Sequence, residues 1–172
     1  MEMITFLNEF VKFPRNTGAI APSSNKLARK MVDSILFNEA KVIVELGPGT
    51  GVFTKEIMKQ KKKETLLILI EINENFYRNL QKKYEHDETV QVFHGSAENI
   101  REYMTELNIE AIDYVLSGLP FTSLPLDVSK RILENSKELL VPKGKFITFQ
   151  YSLVKKAFIQ GYFPSISKKS MA

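Results

Sequence analysis

From residue 41 onward, short runs of β-forming residues alternate with stretches of helical periodicity, and this alternation constrains the fold more than any other feature of the chain. Residues 41–46 (KVIVEL) and 65–72 (TLLILIEI) are apolar enough to be strands buried on both faces. Residues 90–94, 112–117 and 145–151 are three further strand candidates. Helical spacing occupies 51–62, 75–84, 97–107, 126–140 and 153–160. The fourth of these helices stops before Val141-Pro142-Lys143-Gly144, a segment that reads as a helix stop followed by a turn. Five β–α units in series predict an α/β fold, a mainly parallel sheet with helices on both faces. At 172 residues and 44% hydrophobic side chains, the chain suits one domain with one substantial core.

A helical segment precedes the sheet. Met3, Ile4, Phe6, Leu7, Phe10, Val11 and Phe13 crowd the first thirteen residues, and Pro14 stops the helix they suggest. Residues 17–24 (TGAIAPSS) break the chain, and 25–37 reads as a second helix with Leu27, Met31, Ile35 and Leu36 on one side. Composition then excludes several functions. There is no cysteine, so neither a disulfide framework nor a zinc–thiolate site is available. Two histidines, His86 and His94, are too few for a His-rich metal centre, and no metal is expected. The longest apolar run, residues 66–70, is far short of the ~20 residues that span a bilayer, and the N-terminus lacks a signal-peptide pattern. The chain therefore reads as a soluble cytoplasmic protein. Its net charge of +4 suits nucleic acid or an anionic membrane surface without choosing between them.

The segment Glu45-Leu46-Gly47-Pro48-Gly49-Thr50-Gly51, between the first strand and its helix, is the strongest chemical signal. Glycines permit a sharp turn with positive φ and let a ligand approach the backbone. The dinucleotide fingerprint G-x-G-x-x-G is excluded because Val52 stands at its third glycine, and the Gly-Lys-Ser/Thr of a P-loop is absent. The segment resembles the E/D-x-G-x-G-x-G loop of class I S-adenosylmethionine-dependent methyltransferases at every defined position. That resemblance implies a Rossmann-like three-layer sandwich with S-adenosylmethionine as cofactor. It puts Glu45 near the methionine end, Gly47, Gly49, Thr50 and Gly51 along the cofactor, and Glu71, at the end of the second strand, on the ribose hydroxyls with Ile72 beside it. A carboxylate suits two hydroxyl donors at once. In His94-Gly95-Ser96-Ala97-Glu98, Ser96 stands where many relatives carry Asp, and Ser96 and Ala97 fall at the adenine. Ser96 also reads as the N-cap of the helix that follows.

The acceptor half should begin just past strand four, at the carboxyl edge of the sheet. There Ser117-Gly118-Leu119-Pro120-Phe121 resembles the N/D-P-P-Y/F loop of amino-group methyltransferases, with Ser117 at the usual Asn or Asp and Leu119 at the first Pro. The resemblance makes Gly118, Leu119, Pro120 and Phe121 the catalytic loop and puts Ser117 at the cofactor. Phe121 and Tyr151 become candidate cation–π partners for a substituted ammonium.

The FLNEF and TGAIAPSS segments and the SGLPFTSL loop are similar to those of bacterial phospholipid N-methyltransferases, relatives of the ribosomal RNA adenine dimethyltransferases. The similarity runs from residue 1 to about 163. It implies one methyltransferase domain over 1–172, with residues 1–37 as a helical membrane or substrate lid and 41–163 as the cofactor core. It also implies phosphatidylethanolamine as acceptor and peripheral attachment to a phospholipid surface through the N-terminal amphipathic helix. RNA is the alternative partner, and adenine N6 the alternative acceptor; a cofactor-binding protein without activity is the third reading. Because the closing antiparallel strand pair of this fold has no counterpart in the sequence, the sheet is expected to end on an exposed edge, open to homodimerisation.

Overall fold

In the computed structural model, the described residues are 21–148 and 156–163. The helix expected within 1–13, the first half of the break at 17–24, Tyr151 and residues 164–172 lie outside them.

Helix α1 (Ala21–Val32) leads into β1 (Val42–Leu46), α2 (Val52–Gln60), β2 (Leu66–Glu71), α3 (Glu74–Tyr84) and β3 (Val90–His94). After a 3-10 turn at Ala97–Asn99 come α4 (Ile100–Glu106), β4 (Ile112–Ser117), α5 (Leu126–Leu139), β5 (Leu140–Thr148) and α6 (Lys156–Gln160). The five strands form one sheet in the order β3-β2-β1-β4-β5, and every pairing is parallel. Odd and even strand residues feed two separate cores, because side chains alternate across a pleated strand. Ile43, Leu67, Leu69 and Leu116 pack beneath Met31 and Val32 of α1, Ile57 of α2 and Leu80 of α3. Val44, Leu46, Ile68, Ile70 and Val115 pack beneath Ile100 and Met104 of α4 and Val128, Ile132 and Leu133 of α5. The expected three-layer sandwich is thus present.

Two local expectations are corrected. Helix α1 begins at Ala21 and ends at Val32, earlier than the 25–37 periodicity suggests. Pro22 is tolerated in a first helical turn, where backbone N–H groups have no partner inside the helix. Leu36, assigned to the apolar face, is 54% exposed because it follows the helix end. The turn expected at residues 141–144 is instead absorbed into β5. Ile112 faces Leu140 and Tyr114 faces Lys145, so the segment from Leu140 to Lys145 bulges against a much shorter piece of β4. Pro142 is accommodated because β5 is the outer strand of the described sheet on that side.

The register brings Leu46, Ile70 and Ser117 level at the carboxyl edge, with Glu71 opposite His94 one step further on. The chain leaves β1 toward β2 on one side, while β4 lies on the other. This reversal opens a crevice above the carboxyl ends of the strands.

Candidate cofactor and acceptor cleft

The loops after β1, β2, β3 and β4 converge on that crevice. Its walls are Gly47 and Gly49 from the first loop, Ile70, Glu71, Ile72 and Asn73 from the second, and Gly95, Ser96 and Ala97 from the third. Gly118, Leu119 and Pro120 follow from the fourth, and Leu124, Val128 and Ile132 close the far side. The cleft encloses about 760 Å³, open solvent at its mouth included.

The glycine loop folds as its sequence demands. Gly47, Gly49 and Gly51 have φ of 67°, 57° and 79°, a region that costs any residue with a Cβ. Gly47 N–H donates to the Ile70 carbonyl at 2.9 Å, holding the loop to β2. A Cβ on Gly47 would stand 2.6 Å from Leu119 Cδ2, whereas one on Gly49 would meet nothing within 4 Å. The loop therefore packs tightly on the β4 side and leaves open space at Gly49, which is the room a bound ligand needs.

Glu71 is 4% exposed, and its carboxylate joins two loops. Oε2 accepts the Gly49 N–H at 2.8 Å and Oε1 accepts the Asn73 N–H at 2.8 Å. Burial pushes its pKa up, and these backbone donors pull against that shift. Each oxygen keeps a further lone pair for a hydroxyl donor. Asn73 also caps α3, its Oδ1 accepting from Asn75 N–H and Phe76 N–H.

Glu45 lies beneath the glycine loop and does not form part of the cleft wall. It is fully buried; Oε2 accepts the Thr54 hydroxyl at 2.7 Å, while Oε1 has no hydrogen-bond partner. Burial raises its pKa to about 8, the Thr54 hydrogen bond opposes the rise, and the charge of Glu71 adds a little to it. A buried carboxyl oxygen without a partner is costly in the free protein, and a ligand group that reached it would relieve that cost.

In the acceptor loop, Gly118 N–H donates to the Leu46 carbonyl at 2.9 Å, tying β4 to β1 at the crevice. A Cβ on Gly118 would come within 2.9 Å of the Gly47 carbonyl oxygen, so the two loops meet backbone to backbone. Ser117 is buried, and its hydroxyl accepts the Leu119 N–H at 3.3 Å, stabilising the turn from below the cleft. The Leu119 carbonyl accepts the Phe121 N–H at 3.1 Å, closing a tight turn around Pro120.

Phe121 is a correction. The resemblance made it a partner for the acceptor's ammonium, but its side chain is fully buried and packs edge-on against Phe146, ring centroids 6.1 Å apart. The apolar core claims the ring because the turn at Pro120 directs it inward. Thr50 and Gly51 also lie off the cleft wall: Thr50 is exposed, and Gly51 is buried at the start of α2. The remaining expected residues, Gly47, Gly49, Glu71, Ile72, Ser96, Ala97, Gly118, Leu119 and Pro120, come together in one cleft.

Sequence reasoning missed Asn73, Gly95, Leu124, Val128 and Ile132. The periodicity of α5 marks Val128 and Ile132 as buried without distinguishing core from cleft wall. Asn73, just ahead of the α3 periodicity, carried a capping signal that could have been read.

A parallel sheet in this strand order, with a left-handed glycine turn after β1 and a buried acid ending β2 at the crevice, defines a class I S-adenosylmethionine-dependent methyltransferase. The residues fit the cofactor: open space at Gly49, an unsatisfied Glu45 oxygen beneath the loop and spare acceptor capacity on Glu71. The family model for ribosomal RNA adenine dimethylase matches residues 23–141, and the chain belongs to that family. It is 32% identical over 145 residues to the ornithine lipid N-methyltransferase of Singulisphaera acidiphila, covering 84% of this chain and 76% of that one. It is 36% identical over 64 residues to ribosomal RNA small subunit methyltransferase A of Mycoplasma capricolum, covering 37% of this chain and 23% of that one. Among solved structures, phosphoethanolamine N-methyltransferase 1 of Haemonchus contortus, in complex with phosphoethanolamine and S-adenosylhomocysteine, shares the fold. Its TM-score is 0.62 at 17% identity, covering 84% of this chain and 31% of that one. TrmN from Thermus thermophilus has a TM-score of 0.61 at 13% identity, covering 81% of this chain and 41% of that one. The chain thus spans less than half the length of both structures.

Proposed function

We propose that this methyltransferase methylates the primary amine of a lipid headgroup, with phosphatidylethanolamine as acceptor and phosphatidylcholine as the fully methylated product. The observation that carries this reading is the aliphatic wall of Leu119, Leu124, Val128 and Ile132, continuous with the cofactor cleft. Such a wall suits the apolar part of a lipid. A base removed from its stack is usually held against aromatic rings, and the described cleft residues include none. The ornithine lipid relative, matched over most of both chains, supports the same choice.

In this reading Glu71 holds the ribose hydroxyls, Ser96 and Ala97 the adenine, and the glycine loop with Glu45 the amino-acid end. The bound cofactor supplies an electrophilic sulfonium methyl. The acceptor amine would take up that methyl as a neutral lone pair and release its surplus proton to water. Gly118, Leu119 and Pro120 orient the amine, and proximity supplies most of the acceleration. Attachment to an anionic membrane surface through residues 1–13 brings the enzyme to its substrate.

The test offers methyl-labelled S-adenosylmethionine with vesicles of phosphatidylethanolamine, vesicles of ornithine lipid, or unmodified ribosomal RNA. Label in the phosphatidylethanolamine fraction is the expected result. Label confined to ornithine lipid would move the acceptor within the lipid class, and label confined to RNA would overturn the proposal.

A further inference from the structure

Ser96 lines the cleft, and its hydroxyl is not free to turn. The hydroxyl donates to Glu98 Oε2 at 3.1 Å and accepts the Glu98 backbone N–H at 3.3 Å. The other Glu98 oxygen takes the Arg131 Nε–H, and Arg131 reaches on to Asp127 Oδ2 at 2.9 Å. Asn135 donates to the Glu98 carbonyl at 2.8 Å, fastening the same turn to α5. The Glu98 side chain is only 13% exposed and lies against the Arg131 guanidinium. A carboxylate whose two oxygens face the Ser96 hydroxyl and the Arg131 Nε–H accepts from both, so the single Ser96 proton goes to it. One Ser96 lone pair takes the Glu98 N–H, and among the described residues no further donor bonds the hydroxyl.

We infer that Glu98, braced by Arg131, is a positioning residue that makes Ser96 a pure acceptor and so sets selectivity for the adenine amino group. A serine with a free rotor could donate as readily as accept, and would tolerate a nucleobase bearing an oxo group where adenine bears its amine. With its proton committed to Glu98, Ser96 does what an aspartate would do at this position, using a partner two residues on. Val128 and Ile132, on either side of Arg131 along α5, line the same cleft, so the brace and the wall belong to one helix. The inference rests on the cofactor placement proposed above and is independent of the acceptor.

The test is calorimetric binding of S-adenosylhomocysteine and of its deaminated analogue, S-inosylhomocysteine, to the full chain. The wild type should prefer the adenine form by about tenfold, the scale of one well-made hydrogen bond against a mismatched one. Glu98→Ala should bring that preference to within about twofold. Ser96→Asp placed in the Glu98→Ala background should restore it, because a carboxylate carries no proton to misdirect. Glu98→Met, which fills similar space, replaces the alanine variant should that one fail to fold. A preference unchanged in the Glu98 variant, or one that Ser96→Asp does not restore, would overturn the inference. Glu71→Gln tests the placement separately. It should weaken both nucleosides alike, and two unchanged affinities would reject the placement and leave the Glu98 result to be judged alone.

Discussion

Replacing Glu45 by Gln should make the protein's stability less dependent on pH, in a direction fixed by the burial of that side chain. In the folded protein Glu45 has a pKa near 8 against an ordinary 4.5, so between those values the folded state holds a proton that the unfolded chain has released. The stabilising contribution of the protonated form is complete below pH 4.5 and is lost as the pH rises toward 8. The slope is at most ~1.4 kcal/mol per pH unit, and the whole window has an upper bound of ~5 kcal/mol. Gln keeps a carbonyl for the Thr54 hydroxyl and carries no charge, so it resembles the protonated acid at pH 5 and lacks the buried charge at pH 9. Urea unfolding of both proteins at unit steps from pH 5 to pH 9 should show nearly equal stabilities at the acid end. A growing advantage for Glu45→Gln should follow, levelling off above about pH 8. A stability difference that stays flat from pH 5 to pH 8 would refute the reasoning, because it would mean that Glu45 remains ionised and solvated in the folded state.

Three further outcomes follow from the packing. Gly49→Ala should cost about 1 kcal/mol of stability, the strain of a left-handed alanine, because open space surrounds its Cβ. Gly47→Ala should cost more, since its Cβ meets Leu119; thermal melts in parallel with S-adenosylhomocysteine binding would compare the two. Phe121→Ala should lose about 3–5 kcal/mol in chemical denaturation, as deletion of a buried aromatic ring does. A Phe121→Ala protein of normal stability with only a raised acceptor KM would return that ring to the substrate.

The α/β architecture was legible because its signals are local and repeated: two doubly buried strands, period-3.6 helices and a glycine turn at the first crossover. Glu71 could be found from the sequence because it ends a strand at a fixed distance from the loop. Burial at the acceptor loop was not legible. Nothing in Ser117-Gly118-Leu119-Pro120-Phe121 tells whether the aromatic ring turns toward ligand or core, since that depends on Phe146, distant in sequence. The bulge in β5 was hidden for a similar reason: Pro142 and Gly144 speak for a turn locally, and only pairing with β4 carries the strand through them. The Ser96–Glu98–Arg131 chain likewise links residues on separate elements and leaves no trace in a linear reading.

The carboxylate of Glu71 ties the loop after β1, through Gly49, to the loop after β2, through Asn73. Each loop holds one oxygen of the same carboxylate. The two segments thus share one side chain as their tie, and displacing that carboxylate would release both. Ligand hydroxyls that take the spare lone pairs of that carboxylate would join the same anchor, so occupancy at one point would brace both sides of the cleft rim.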